Sequence, residues 1–284
     1  MLFYYANSGH KIGLERVRRG AALLKRLASN GVEAQLLVND FRAGLAAKEL
    51  GVKEYVTIET IQDIDAIAEV GNSIIIDSSE DDHGRLVKYC SDFKNVWRFE
   101  HDSSDTSVYG ETLLRSECKD EDCVNAVMID DDYFEETVKD ERTLFFLGDA
   151  DYDKIILNNE LFFKAFDMEL LLGNYFFVKY EDDLAKLFST LYEPEEYEDL
   201  IKSSSHVVTA SAQTALEAKV SGAKVIYLSI SENDFYPVEL LKTYGIDIVN
   251  GFNAELVAKY LKEESPVTQN TIERFDDNRI KSIL

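Results

Sequence analysis

Two strand-loop-helix units constrain this chain more than any other feature: LFYYANSGHKIGLERVRRGAALLKRL near the start and HVVTASAQTALEAKVSGAKVIYL in the last third. Each sends an apolar strand through a loop of small and polar residues into a helix. Free N–H groups and the positive end of the helix dipole meet at such a loop, which suits a phosphate-bearing ligand. A pair of these units so far apart predicts an α/β protein of two lobes, each on a parallel sheet, facing a central cleft.

The intervening segments fit this plan. Leu2 to Ala6, Val32 to Val38, Tyr55 to Ile58, Ser73 to Asp77 and Val96 to Phe99 read as strands of the first lobe. Helical patterns separate them, beginning with Leu14 to Asn30, where Val17, Ala21, Leu24 and Ala28 share a stripe and Gly31 follows as a C′ residue. A second, around Ala43 to Leu50, stops at Gly51. Parallel strands need crossover connections, and these helices supply them. Between Ser103 and Lys139 the periodicity fades and acidic density rises, which marks the expected inter-lobe region and divides the chain into lobes at 1–135 and 136–284. Beyond it, Leu144 to Leu147, Tyr175 to Val178, Val207 to Thr209, Lys224 to Leu228 and Asp247 to Val249 read as strands. Ile155 to Leu172, Asp182 to Leu191 and Ala254 to Glu264 read as helical.

Composition narrows the function. Against 30 basic residues stand 54 acidic ones, a net charge of −24, so most of the surface repels the phosphate backbone of nucleic acid and no nucleic-acid partner is expected. The chain has no run of about 18 or more apolar residues and no basic, small-residue leader at its start, so a cytoplasmic protein without a membrane span is expected. Cys90, Cys118 and Cys123 are odd in number and lack C-x-x-C spacing, which predicts reduced thiols and no structural zinc. Glu80, Asp81, Asp82 and His83 have the ligand types of a cation site, but adjacent residues at a helix start point in different directions. A solvated helix N-terminus is expected there, with no metal and no cofactor.

Within this acidic chain, Lys11, Arg16, Arg18, Arg19, Lys25 and Arg26 form a basic island in and after the loop that carries Gly9 and Gly13. A solvated basic face accounts for such residues in general. Arg16 differs: on a 3.6-residue period it heads a row with Gly20, Leu23 and Leu27, which draws its side chain to the lip of the expected cleft. His10 in the same loop and His101 after the strand Val96 to Phe99 are candidate acids or bases near neutral pH.

The run IGLERVRRGAALLKRL resembles the first loop and helix of the PseG family, hydrolases of UDP-linked diacetamido sugars in pseudaminic acid synthesis, whose pattern is close to IG-x-GH-x-x-R before an apolar helix. That family is in turn similar to MurG and other GT-B glycosyltransferases. Ile12, Gly13 and Arg19 match, while Glu15 stands where the family has glycine and Arg16 where it has its catalytic histidine. A guanidinium stays protonated, so Arg16 can clamp a pyrophosphate but cannot shuttle a proton. The run IIIDSS resembles the family's IIDHYG, keeping Asp77 and placing Ser78 and Ser79 at the His-Tyr pair. LFFLGDAD resembles the strand and GG-x-D turn that opens the second lobe, with Gly148 kept and Asp149 at the second glycine.

The second strand-loop-helix unit resembles the family's uridine-diphosphate site, with Glu217 at the position of the glutamate that holds the ribose hydroxyls. Small hydroxyl residues ahead of that helix can cap it and bond a phosphate. The resemblance implies a GT-B-like fold of two Rossmann-like lobes. It implies a UDP-linked sugar held by Ser211, Gln213, Thr214 and Glu217 with Gly13, Arg16 and Arg19, and a water activated by His10, Asp77 or His101. The activity it implies is that of a nucleotide-sugar hydrolase or glycosyltransferase in surface glycan or flagellin sugar metabolism. Arg16, Ser79 and Asp149 point to the alternative, a non-catalytic descendant that acts as a binding or regulatory partner.

Overall fold

The computed structural model describes residues 1–102, 104–116, 124–230, 235–264, 268, 270–276, 278 and 281. Cys118 and Cys123 lie outside the described residues, and Cys90 is a half-buried free thiol. The chain forms two compact units, Met1–Asp130 with Arg274–Leu284, and Asp131–Glu273. No helix among the described residues is long and apolar enough to cross a membrane.

In the first unit, strands and helices alternate: β1 (Leu2–Ala6), α1 (Glu15–Ser29), β2 (Ala34–Val38), α2 (Phe41–Glu49), β3 (Tyr55–Thr57), α3 (Ile64–Ile67), β4 (Ser73–Asp77), α4 (Arg85–Asp92), β5 (Asn95–Phe99), β6 (Thr112–Arg115) and β7 (Val124–Asn125). The strands form one parallel sheet in the order β3-β2-β1-β4-β5-β6-β7. The chain winds outward from β1 in one direction and from β4 in the other. Their carboxyl ends, paired in register at Ala6 and Asp77, therefore mark the reversal point where open α/β sheets hold ligands.

Central strands covered on both faces must be apolar throughout, and every residue of β1 and β4 is buried. On one face, α1 lies so close to β1 that a Cβ at Gly20 would fall 2.6 Å from the Tyr4 ring. The buried surface of α1 is wider than the predicted stripe: Val17, Ala21 and Leu24 are buried, as are Leu23 and Leu27, whereas Ala28 is exposed. On the other face Phe3, Tyr5, Leu37, Ile74, Ile76 and Tyr89 share a core. Each such side chain contributes about 1.5–3 kcal/mol by leaving water.

The second unit contains β8 (Asp140–Phe146), α5 (Ile155–Asn158), α6 (Glu160–Phe163), β9 (Glu169–Leu171), α7 (Val178–Leu184), β10 (Leu191–Tyr192), α8 (Tyr197–Ser203), β11 (Ser204–Thr209), α9 (Ala212–Val220), β12 (Lys224–Ser229), α10 (Val238–Thr243), β13 (Asp247–Asn250) and α11 (Ala254–Tyr260). Its sheet is also parallel, in the order β10-β9-β8-β11-β12-β13, and reverses between β8 and β11. Phe145, Phe162, Phe163, Phe188 and Val257 belong to its core.

Three local readings need correction. The expected inter-lobe stretch supplies β6 and β7: the short apolar pair Leu113 and Leu114 lies in a strand beside β5, and β7 adds the edge. Tyr175 to Val178 is not a strand. The Tyr175 N–H turns back to the Asp149 carbonyl at 2.9 Å, and α7 begins at Val178 and ends before the predicted helix does. The missing strand is β9, inside the stretch expected to be helical. There α5 starts where the Asp151 carboxylate accepts the N–H groups of Ile155 and Ile156 at 2.5 and 3.2 Å, and the helices stop before Glu169.

Candidate functional site

At the reversal point of the first unit, Asp77 ends β4 with 1% of its surface exposed. The Tyr4 hydroxyl donates to its Oδ2 at 2.7 Å, and Arg19 donates from Nε to Oδ2 at 2.9 Å and from Nη2 to Oδ1 at 2.7 Å. Arg16 Nε lies 3.4 Å from Oδ1. The Arg19 guanidinium also rests on the Phe99 ring, 3.6 Å from its centroid. Thus part of the basic island turns inward. Arg18 and Arg19 are buried, and Lys25 meets Asp130 at 2.5 Å. Of the two guanidiniums at Asp77, Arg16 is the more open, at 19% side-chain exposure against 6% for Arg19.

The loop after β1 is tied down at both ends. Asn7 N–H donates to the Asp77 carbonyl at 2.9 Å, and Ser8 and Asn39 exchange hydrogen bonds of 2.8 to 3.1 Å. The N–H groups of Ile12 and Gly13 return to the Gly9 carbonyl, which leaves His10 exposed between them and brings buried Gly13 to the start of α1. No side chain caps that helix at Leu14.

Glu80 does not join a solvated helix N-terminus, as the sequence suggests. It accepts the Tyr5 hydroxyl at 2.5 Å and the Ser78 hydroxyl at 2.9 Å, and α4 begins only at Arg85. Burial, and next the hydrogen bond to Glu80, push the Tyr5 phenol far above its ordinary range, against a smaller lowering by a hydrogen bond from the Asn7 side chain. Asp81 and Asp82 accept the backbone N–H groups of His83 and Gly84.

His101 follows β5 in a loop organised around Arg98. Arg98 donates to both oxygens of Asp105, at 2.5 and 3.0 Å, and to Glu111 at 3.3 Å. Asp105 in turn accepts the His101 N–H at 3.0 Å. Burial alone would raise the Asp105 carboxyl, but the hydrogen bonds from Arg98 and the His101 amide, with the Arg98 charge, bring it down to about 2. The His101 ring reaches solvent at the edge of this cluster. Partial desolvation, then the charge of Arg98, hold its imidazole below the ordinary value, so it is neutral at pH 7 and can accept a proton.

In the second unit the predicted nucleotide residues lie on α9, which leaves the sheet at its own reversal point. Ser211 caps the helix, its Oγ accepting the Thr214 N–H at 3.2 Å and the Thr214 hydroxyl at 2.9 Å. Gln213 donates to Glu217 Oε1 at 2.8 Å, and Tyr197 donates to Oε2 at 2.6 Å while touching the Thr214 hydroxyl at 2.7 Å. Tyr236 completes the row by donating to Gln213 Oε1 at 3.0 Å. Ser211, Gln213, Thr214 and Glu217 are all buried. Asp149, which replaces a glycine of the resembled turn, is also buried and accepts the Asn174 amide at 3.1 Å.

No family model matches the sequence, and no curated protein matches it. Solved structures do match its fold. The UDP-GlcNAc 2-epimerase of Methanocaldococcus jannaschii, in complex with UDP-GlcNAc and UDP, superposes with a TM-score of 0.58 at 14% identity, over 100% of this chain and 99% of that one. A putative UDP-N-acetylglucosamine 2-epimerase from Listeria monocytogenes gives 0.60 at 12% identity, over 92% and 86%. The E. coli heptosyltransferase WaaC, with ADP-2-deoxy-2-fluoro heptose, gives 0.51 at 9% identity, over 92% and 98%. The fold is GT-B-like. At these identities the likeness is one of architecture, and the chemistry of the GT-B-like chain rests on its own residues.

Sequence reasoning thus finds the two loops and misses their supports: Tyr4 and Phe99 in the first unit, Tyr197 and Tyr236 in the second. One signal was present. A tyrosine in a buried strand or helix has a hydroxyl that must find a partner, and Tyr4 and Tyr197 both find the carboxylates.

Proposed function

We propose that this GT-B-like chain binds a UDP-linked sugar, with Ser211, Gln213, Thr214 and Glu217 in the second unit as candidate nucleotide-binding residues, and Gly13, Arg16 and Arg19 as the candidate substrate-binding residues of the first. The observation that carries this reading is the continuous hydrogen-bonded row from Ser211 through Thr214 to Glu217, beginning at the reversal point of the second sheet. A hydroxyl, an amide and an acid are thus lined up along the cap and first turns of one helix. Those are the groups that recognise a ribose and a phosphate. Structural neighbours solved with UDP-GlcNAc and UDP, or with an ADP-heptose analogue, support a nucleotide-sugar ligand.

In the catalytic form of this reading the chain is a hydrolase or glycosyltransferase of surface glycan or flagellin sugars of the pseudaminic acid type. For hydrolysis, a water oxygen bonds to the anomeric carbon, UDP departs with the electron pair of the broken C–O bond, and a base takes the water's proton. Among the candidates His10, Asp77 and His101, the His101 imidazole is held below its ordinary value by partial desolvation and the Arg98 charge, which suits a base. Asp77 is engaged by Tyr4, Arg16 and Arg19. That saturation specifically favours a second reading, a binding protein without catalysis.

Calorimetric titration with UDP, ADP and UDP-N-acetylglucosamine tests the binding reading. UDP binding that is lost in Glu217→Ala supports it, and the absence of UDP binding by the unmodified chain overturns it. Release of UDP from a UDP-sugar, abolished in His101→Ala, distinguishes the catalytic form from the binding form.

A further inference from the structure

One outer edge of the first sheet is open. Strand β3 pairs with β2 on one side, where Leu36, Leu37 and Val38 stand beside Tyr55, Val56 and Thr57, and no strand among the described residues lies on its other side. The Ile58 N–H donates to the Val38 carbonyl at 2.9 Å. N–H and C=O groups alternate in direction along a strand, so those of Val56 turn to β2 while those of Tyr55 and Thr57 turn outward, and no described residue pairs them. Such an edge is a template for another strand. Alongside it runs an open groove of about 390 Å³, lined by Phe41, Lys48, Lys53, Tyr55 and Thr57 among others. Phe41, Leu45 and Lys48 form one stripe of α2, and its two apolar members are 63% and 43% exposed. Gly44 of α2 lies directly against the Tyr55 ring, which seats the helix on this edge.

We propose that β3 pairs antiparallel with β3 of a second copy of this chain, about a two-fold axis through Val56, and that the chain is a dimer. A two-fold contact sets residue i opposite j and j opposite i. With Val56 facing its own counterpart, Tyr55 of each copy faces Thr57 of the other, and the outward N–H and C=O groups of both residues find partners. The same register sets Lys53 opposite Glu59 of the second copy at both ends, and both side chains are exposed. Sliding the copy by two residues either way, the next register that keeps outward groups facing, loses both ion pairs. Charge therefore selects both the occupant and its register. The axis stands perpendicular to the sheet, so α2 of one copy lies beside α2 of the other, and Phe41 and Leu45 leave water. This contact lies wholly within the first unit and is independent of the nucleotide-sugar reading.

Sedimentation equilibrium of the full chain over a concentration series, at about 0.15 M salt so that the net charge is screened, tests the proposal. A monomer–dimer equilibrium is expected. Lys53→Glu sets like charges against each other at both ends and is expected to weaken the dimer about tenfold, and the exchange of Lys53→Glu with Glu59→Lys is expected to restore it. Thr57→Pro removes only an outward N–H, which an edge strand tolerates, and is expected to weaken the dimer as well. Lys53 is exposed, so its variants decide the matter even if Thr57→Pro does not fold. A chain that stays monomeric throughout the series overturns the proposal and leaves the edge to an extended segment of another protein. A dimer that Lys53→Glu leaves unchanged, that the exchange does not restore, or that folded Thr57→Pro forms as tightly as the unmodified chain overturns it too.

Discussion

Arg19 grips Asp77 with two hydrogen bonds, at 2.9 and 2.7 Å, although 58 residues separate them in the chain. Both side chains are almost wholly buried, at 6% and 2% exposure, and the guanidinium is stacked on Phe99. This pair fixes α1 against the end of β4 and holds Arg16 nearby.

Breaking the pair strands a charge in the interior. Arg19→Met or Asp77→Leu alone is expected to cost about 3–5 kcal/mol in urea unfolding, while the double variant costs clearly less than their sum. Additive losses would mean that the two side chains do not act together.

Two glycines separate a contact that can yield from one that cannot. A Cβ at Gly173 would stand 2.6 Å from the backbone carbon and oxygen of Asp149, so Gly173→Ala is expected to lower stability by at least about 2 kcal/mol. At Gly20 the same distance is to the Tyr4 ring, which can rotate only by leaving Asp77. Gly20→Ala is therefore expected to cost little further in a Tyr4→Leu background, a comparison that thermal unfolding decides.

In the second unit, Tyr197→Phe removes the donor to Glu217 and the contact with Thr214 while keeping the ring that packs edge-on against Phe146. A loss of about 1–3 kcal/mol is expected, because Glu217 Oε2 stays buried. If Glu217 also holds a nucleotide, Glu217→Gln keeps most of the stability and weakens UDP binding, which calorimetry and unfolding read independently.

Acid stability carries the signature of the Arg98 cluster. The folded Asp105 carboxyl, at about 2, lies below its ordinary 3.8, so its contribution is complete above pH 4 and is lost as pH falls through 2. Asp105→Asn is expected to flatten the pH dependence of unfolding in that window. His101 acts higher: its lowered value makes the unfolded chain the stronger proton binder, so stability declines as pH falls below about 6.5, and His101→Gln removes that slope. A His101 titration by NMR at or above its ordinary value would contradict the geometry of the Arg98 loop.

The local pattern made much of the architecture legible. Apolar runs gave β1, β4, β11 and β12, helical periodicity gave α1, and the strand-loop-helix pattern gave α9, because these signals depend on neighbours only a few residues away. Short elements escaped: β6, β7 and β9 are edge or near-edge strands whose identity depends on the strand beside them. Tyr175 looked extended by composition, yet its N–H is taken by the Asp149 carbonyl.

By itself, then, the sequence determined two parallel α/β units, the two loops at their reversal points and the residue types gathered there. Tertiary structure alone decided how those residues are spent. It committed Arg19 and Tyr4 to Asp77, drew Glu80 inward to Tyr5 across 75 residues, and enclosed Glu217 between Gln213 and Tyr197. The reason is physical: periodicity records which residues leave water, whereas the partner of a buried polar group is set by strand order and helix packing, which bring distant parts of the chain within hydrogen-bond reach.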